Sequence, residues 1–542
     1  MSGQAIIVAA QPEAVEVGAV VLQRGGNAVD AAIACAMVQT VVDPQMAGIA
    51  GFGVLQVVMP GRGVHACLDF HARCAAASRP DQWADKVLGE TPDGFGFLVE
   101  GRLNDNGYGS IAVPGSLLGF AEAVATWGTM DWADVVEPAI ERCRRGVVIR
   151  PALHARWVQD DARLGRTNYV DKLRITPDGR RIYFHPDGTL RRTGEVLHNA
   201  DMLRTLERIA RHGPDIFYRG EIAEEIEADM RANGGLLRRA DLDAYRTRQS
   251  TPLWGDYRGA RIAAAQPPAG GVMVLEILNI LSHFDLAVLG HNSPEHIRIV
   301  AEAQKRATID KDRFVGDPEF VDVPLARLLG ADRAAAMAAE IRAGTKAHVE
   351  RLGAEAPDTT TVHVMDCAGN VVSMTHSLGS PSGVISPGLG FMYNGCMAVF
   401  DPRPGRTGSI APGKSRFASM APCIGFRDGV PFLSIGAPGG THITLSVAQV
   451  ISNLLDFDMG MLEAVCAPRI SATSDTIEVS NRVPEFVTEE VERMGYRLKR
   501  SAQTYAFAAV HGVLRRDGRL SGGADPQRDG MSLVVEQSRS PH

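Results

Sequence analysis

Asp358-Thr359-Thr360-Thr361-Val362-His363-Val364-Met365, Asp366-Cys367-Ala368-Gly369-Asn370 and Val371-Val372-Ser373-Met374 form one continuous stretch of this 542-residue chain. It reads as two strands and a tight turn. Thr360, Val362 and Val364 alternate before the turn, and Val371, Val372 and Met374 follow it. Gly369 and Asn370 supply the positive φ a hairpin needs. Just upstream, residues 344–357 are polar, acidic and broken by Gly and Pro, the composition of an exposed linker. A linker that turns into a strand at Thr359 is a place where a chain can be cut. A threonine hydroxyl is a weak nucleophile until a base takes its proton. Cleavage before Thr359 would free an α-amine beside that hydroxyl. With an ordinary pKa of about 8, this amine can be the base near neutral pH. Thr360 is the next candidate.

Further along, strands are expected around 422–427 and 431–435, with Asp428-Gly429 as their turn. Pro438-Gly439-Gly440 follows, and then a helix over 442–455. A Gly-rich turn at a helix N-terminus can aim N–H groups at a developing oxyanion. Towards the N-terminus, residues 12–24 have helical periodicity and stop at Gly25-Gly26. Asn27 can cap an almost wholly apolar, buried helix over 28–42, ended by Asp43-Pro44. Gly48 to Gly53 lead into a strand over 54–59. Their spacing is not the dinucleotide fingerprint, and they precede a strand, so a close backbone crossing is expected there. Residues 115–245 read as mostly helical, as do 275–284 and 297–314. Helical segments around strongly strand-like ones predict a layered α/β sandwich.

With 45% hydrophobic residues the chain can bury a large core, and its net charge of -7 comes without any Lys/Arg cluster. Nucleic acid is therefore not an expected partner. The first residues lack a basic n-region, and no apolar stretch is long enough to span a bilayer, so no membrane association is expected and a cytoplasmic location is the default. None of the eight cysteines stands in a C-x-x-C pair, and the fifteen histidines include no H-E-x-x-H. No metal site and no cofactor are read. Most of the cysteines are expected as small buried hydrophobes.

These landmarks resemble, in order and over nearly the whole chain, the γ-glutamyltransferase family. They include Gly25-Gly26-Asn27-Ala28-Val29-Asp30, Val113-Pro114-Gly115-Ser116, Gly213-Pro214-Asp215-Ile216-Phe217-Tyr218, Pro267-Pro268-Ala269-Gly270-Gly271, Ala437-Pro438-Gly439-Gly440 and Asp525-Pro526-Gln527-Arg528. The resemblance implies a four-layer αββα sandwich of the N-terminal nucleophile (Ntn) hydrolase kind. It would be built by two fragments of one precursor: a large subunit, 1–358, and a small catalytic subunit, 359–542, in an obligate heterodimer. It also implies roles. Thr359 is the nucleophile and Ser377 the second hydroxyl supporting it. Gly439 and Gly440 are the oxyanion pair. Arg73 grips the donor's carboxylate with Ser419, whose usual serine partner is Ala418 here. Departures accompany these matches. Where the family places ligands for the donor's ammonium, this chain has Gly379, Val399 and Cys396, and the segment 402–414 is short for the family's lid.

The expected function is therefore a self-processing Thr-nucleophile amidohydrolase acting on a small carboxylate-bearing amide without an α-amino group, oxamate-like or N-acyl. Water or an amine would resolve the acyl-enzyme. Two rivals stay open: a γ-glutamyl hydrolase or transpeptidase acting on glutathione-type donors, and an uncleaved, silent precursor with a scaffold role. Each assigned residue also has a bland reading. Thr359 and Ser377 are ordinary strand residues, Pro438-Gly439-Gly440 an ordinary turn, and Arg73 an ordinary surface arginine. His363, His376 and His442 are expected in structural or substrate-contact roles, since the α-amine leaves no need for a histidine base.

Overall fold

The computed structural model describes residues 2–92, 94, 96–349, 359–502 and 507–538. The expected hairpin forms, with positive φ at Gly369 (85°) but not at Asn370. Thr360–Met365 and Val371–Ser377 pair antiparallel, Thr360 opposite His376 and Met365 opposite Val371. Its turn is closed by the Asp366 carboxylate, which accepts the N–H groups of Ala368 and Asn370 at 3.0 and 2.9 Å. The same carboxylate takes the Ala28 N–H at 3.0 Å, tying the turn to the start of the helix Ala28–Val42.

The hairpin lies at the centre of a seven-stranded sheet. Ser2–Ala9 and then Met531–Ser538 continue it on one side; Phe52–Met59, Val64–Phe70 and Arg248–Ser250 continue it on the other. A six-stranded sheet faces it, in the order Arg519–Ala524, His511–Arg516, Val430–Gly436, Cys423–Arg427, Ala260–Ala264, Leu253–Tyr257. The turn between Cys423–Arg427 and Val430–Gly436 is the expected Asp428-Gly429, with φ of 50° and 77°.

Period-two alternation sorts the side chains into layers. In the hairpin, Val362, Val364, Val372 and Met374 join the core under the outer helices. Met365 and Val371 point the other way, into a cluster between the sheets with Ile6, Val8, Ile424 and Val513. Helices Pro12–Gln23 and Ala28–Val42 cover the outer face of the first sheet, and Gly271–Leu281 and Ile443–Asp456 that of the second. The result is the αββα sandwich. Asn27 caps its helix as read, its side chain accepting from Val29 and Asp30 at 2.8 and 3.1 Å. Every residue of Ala28–Val42 is buried, because the helix also packs against Trp132–Arg145 on its outer side.

The glycines before Phe52–Met59 make the expected close crossing. A Cβ on Gly51 would stand 2.3 Å from the Ser377 carbonyl oxygen, and one on Gly53 2.5 Å from that of Thr375. Other segments differ from the sequence reading. Ser2–Ala9 is a strand, paired on both sides. The later helices start earlier than read, at Gly271 and at Pro294, the latter capped by Ser293, which accepts from His296 at 3.2 Å. The largely helical region 115–245 also holds a small pairing of Val147–Val148 with Val196–Leu197. The linker from 350 to 357, and Asp358, lie outside the described residues. Both large sheets combine strands from before and after Thr359, so neither expected fragment holds either of them alone. Among the described residues, no helix is long and apolar enough to cross a membrane.

Candidate active site

Alternation separates the two threonine candidates. Thr360 faces the outer helices. Its hydroxyl donates to the Gln11 side chain at 2.9 Å and accepts from the Gln39 amide at 2.9 Å. Gln39 also donates to Gln11 at 2.6 Å, and its oxygen meets His376 Nε2 at 2.8 Å. Thr360 is thus locked in a buried polar cluster. Thr361 faces the second sheet, with its hydroxyl 2.9 Å from His363 Nε2 and donating to the Met374 carbonyl at 2.6 Å. Thr359, one place before the strand, shares the parity of Thr361 and lines a cavity of about 780 Å³ at the sandwich end.

The Thr359 hydroxyl donates to Ser377 Oγ at 3.4 Å, and the same oxygen accepts the Gly379 N–H at 2.7 Å. Ser377 ends its strand opposite Phe52. Gly440 lines the cavity with Thr359. Its neighbour Gly439 has φ 140°, and a Cβ there would meet Ala508 Cα at 2.5 Å, so only glycine fits. A short 3₁₀ turn, Gly440–His442, leads into the helix Ile443–Asp456, whose N-terminal dipole favours negative charge at this end. Ser419 and Ala418 also line the cavity, on a segment bridged to Ala269.

Gly379 and Val399 line the wall as well, together with Asp401, Arg403 and Arg406 of the short segment around 402–414. Among the described residues, five cationic side chains (Lys311, Arg313, Arg403, Arg406 and Arg416) share the lining with three carboxylates, Glu90, Asp312 and Asp401. Arg403 is engaged by Asp401 at 2.8 Å and Glu90 at 2.9 Å. A cavity richer in cations than in anions, within a chain of net charge -7, favours an anionic ligand.

Arg73 is not among the residues that line this cavity. Its backbone bridges Val113 and Ser415, while its guanidinium donates to the Arg246 carbonyl at 2.9 Å and lies 5.2 Å from the Tyr245 ring centre. The arginine that lines the cavity behind Gly379 is Arg416, which the sequence reading missed. It follows Pro412-Gly413-Lys414-Ser415, a polar run like many surface loops, and only the fold turns it inward.

The Cys396 thiol is buried and pushed up to about 11 by desolvation, with Arg416 pulling the other way. It is a structural thiol, and none of the eight cysteines is in a disulfide. Burial lowers His376 to about 3 and draws His363 well below its usual value, so both rings are held neutral. His442 Nδ1 meets Ser471 Oγ at 2.8 Å. The three histidines have structural partners.

A family model described as Gamma-glutamyltranspeptidase matches residues 14–535. The chain is 35% identical over 540 residues to the "Acylase ACY 1 proenzyme" of Pseudomonas sp. (strain V22), covering 98% of this chain and 93% of that one. It is 31% identical over 547 residues to the "Glutathione hydrolase proenzyme" of Escherichia coli (strain K12), covering 97% and 90%. The structure superposes on the crystal structure of cephalosporin acylase from Bacillus halodurans with a TM-score of 0.86 at 27% identity, covering 98% of this chain and 96% of that one.

Proposed function

The chain belongs to the gamma-glutamyltranspeptidase family, and from that premise we propose that it is a self-processing amidohydrolase whose Thr359 attacks a carboxylate-bearing amide lacking an α-amino group. The observation that carries this reading is the shared cavity. Thr359, the Gly440 turn and a lining with more cations than carboxylates share one space, and Gly379 and Val399, the positions at which the resemblance implies ammonium ligands, line it too.

The chemistry follows from the parts. Processing between Asp358 and Thr359 leaves 1–358 and 359–542 as a heterodimer and frees the Thr359 amine. That amine takes the hydroxyl proton as the oxygen bonds to the substrate's carbonyl carbon. The carbonyl oxygen becomes an oxyanion, met by the N–H groups of Gly439 and Gly440. Losing such a donor costs about 3 kcal/mol of barrier. Ser377 holds the nucleophile's hydroxyl towards the cavity. The protonated amine then gives its proton to the leaving nitrogen as the C–N bond breaks. Water, deprotonated by the same amine, attacks the ester and restores Thr359; an amine acceptor in its place would give transfer.

Of the donors that carry a carboxylate but no α-amine, oxamate would fill only a small part of 780 Å³. Larger N-acyl donors such as glutaryl amides suit that volume better. The 35%-identical acylase relative supports the same choice. Ser419 is proposed to help bind the carboxylate. Arg73, to which the resemblance gives this role, would act on it only if its side chain left Tyr245.

The test is to incubate the purified chain, verify two fragments by intact mass, and assay the processed enzyme on oxamate, glutaryl, γ-glutamyl and acetyl amides. Turnover confined to carboxylate-bearing donors without the amine is the expected result. Turnover of the acetyl amide alone, or none after processing, would reject the reading.

A further inference from the structure

Arg416 is a buried cation at the cavity wall. It is only 6% exposed, yet it lines the same space as Thr359. Its guanidinium carbon lies 4.8 Å from the centre of the Phe52 ring. The Cys396 thiol hydrogen-bonds it, and burial pulls its pKa below the usual arginine value while the thiol pushes it back up. Arginine nonetheless remains charged at neutral pH.

Gly379 makes the room. A Cβ there would stand 3.4 Å from Arg416 Nη2 and 3.4 Å from Phe52 Cε1, and its φ of 68° is one that other residues rarely adopt. The platform is fixed relative to the nucleophile. Phe52 pairs in register with Ser377, and Ser377 accepts the Thr359 hydroxyl. Ring, guanidinium and nucleophile are therefore linked through one pair of hydrogen-bonded strand ends.

Depth assigns the end of the substrate. The cations of the segment around 402–414 are open to solvent, Arg403 with 33% of its side chain exposed and Arg406 with 58%. The acyl half stays bonded to Thr359 after the amine has left, so it must lie where the leaving group's exit does not pass. The enclosed wall at Arg416 suits it; the open rim suits the leaving amine.

We propose that Arg416 is the specificity-determining residue for the acyl half, gripping a carboxylate at the far end of the acyl chain, so that the donor is the monoamide of a dicarboxylic acid. This rests on the amidohydrolase reading but names its own residue and its own end of the substrate. A guanidinium there draws a carboxylate in with charge-assisted hydrogen bonds and repels an ammonium.

The test separates the two claims by measuring binding apart from turnover. Glutarate and butyrate, equal in chain direction but differing in the second carboxylate, are titrated calorimetrically into the processed wild-type enzyme, Arg416→Met and Arg416→Lys. Wild type should bind glutarate at least about tenfold tighter than butyrate, and Arg416→Met should lose that preference. Thermal unfolding checks that each variant is folded. Where Arg416→Met is not, Arg416→Lys carries the test, weakening glutarate roughly three- to tenfold because the planar fork is gone. Equal binding of the two acids by wild type, or a preference untouched in a folded variant, overturns the proposal. Hydrolysis of glutaryl anilide is read separately. If glutarate binding depends on Arg416 but no amide is cleaved, the amidohydrolase reading fails and the anion anchor stands.

Discussion

Ser377 Oγ accepts from the Thr359 hydroxyl at 3.4 Å and from the Gly379 N–H at 2.7 Å. Thr360 pairs with His376, so Thr359 and Ser377 stand one rung further along the same hairpin. The hydroxyl that would orient the proposed nucleophile is thus delivered by strand register, and the Gly379 N–H holds that hydroxyl in its place.

Processing should occur between Asp358 and Thr359. Asp358 lies outside the described residues, but Thr359 has the parity and the cavity that the nucleophile needs. Intact-mass analysis of the wild type should give two fragments, whereas Thr359→Ala should remain one chain. Splitting of Thr359→Ala at this same bond would remove Thr359 from the role.

Thr360→Val should keep processing and turnover, because the Thr360 side chain faces Gln11 and Gln39 and not the cavity. Gln39→Leu should instead cost about 2 kcal/mol of stability by leaving the buried His376 ring nitrogen without its partner. Chemical denaturation of both variants beside wild type checks the contrast. A larger loss from Thr360→Val than from Gln39→Leu would contradict it.

A γ-glutamyl anilide should be a worse donor than its des-amino glutaryl analogue. Val399 and Gly379 offer its ammonium no side-chain ligand, and Arg416 beside them carries the same sign of charge. An ammonium left without a carboxylate partner costs ~3 kcal/mol, over a hundredfold in specificity. The ratio of kcat/KM for the two anilides on the processed enzyme is the measurement. A preference for the γ-glutamyl compound would restore the transpeptidase reading.

Glu276 should make the fold less stable as pH rises. The side chain is 3% exposed in the helix Gly271–Leu281. Burial, and then the hydrogen bond and charge of Asp310, push its carboxyl well above the usual range, with Arg333 acting against them. A raised folded-state pKa means a stability contribution that is full below the unfolded value, about 4.3, and lost as pH climbs through the folded one. Glu276→Gln should therefore melt roughly 1–2 °C higher than wild type at pH 8 and lose that advantage at pH 5. An advantage that grew on acidification would show the sign to be wrong.

What the sequence made legible was local. The hairpin at Asp366 to Asn370, the cap at Asn27, the turn at Asp428-Gly429 and the crossing at Gly51 each rest on a residue whose conformation has few alternatives. Ser2–Ala9 escaped because its core residues Ala5 to Ala9 are buried on both faces, between helices and the second sheet, so Ala-Ile-Ile-Val-Ala shows no alternation. The cavity's cation escaped for a different reason. Nothing near Arg416 in the chain distinguishes it, and its meaning comes from Gly379, Phe52 and Cys396, which lie far away in sequence. The turn at Gly439-Gly440 was visible as a turn, but its place beside Thr359 depends on two sheets packing face to face.

Thr360–Met365 is flanked by Ser2–Ala9 on one side and Val371–Ser377 on the other. If the chain is cut before Thr359, the central strand begins at a new terminus while its neighbour Ser2–Ala9 belongs to the other piece. The order of the refolding reaction then changes. An uncut chain regains its sheet in a first-order step, but the severed pieces must first meet, so recovery after denaturation becomes bimolecular and falls on dilution. Self-cleavage would in this way make maturation a one-way passage: the sandwich assembles easily once, as a single chain, and afterwards survives mainly by not unfolding.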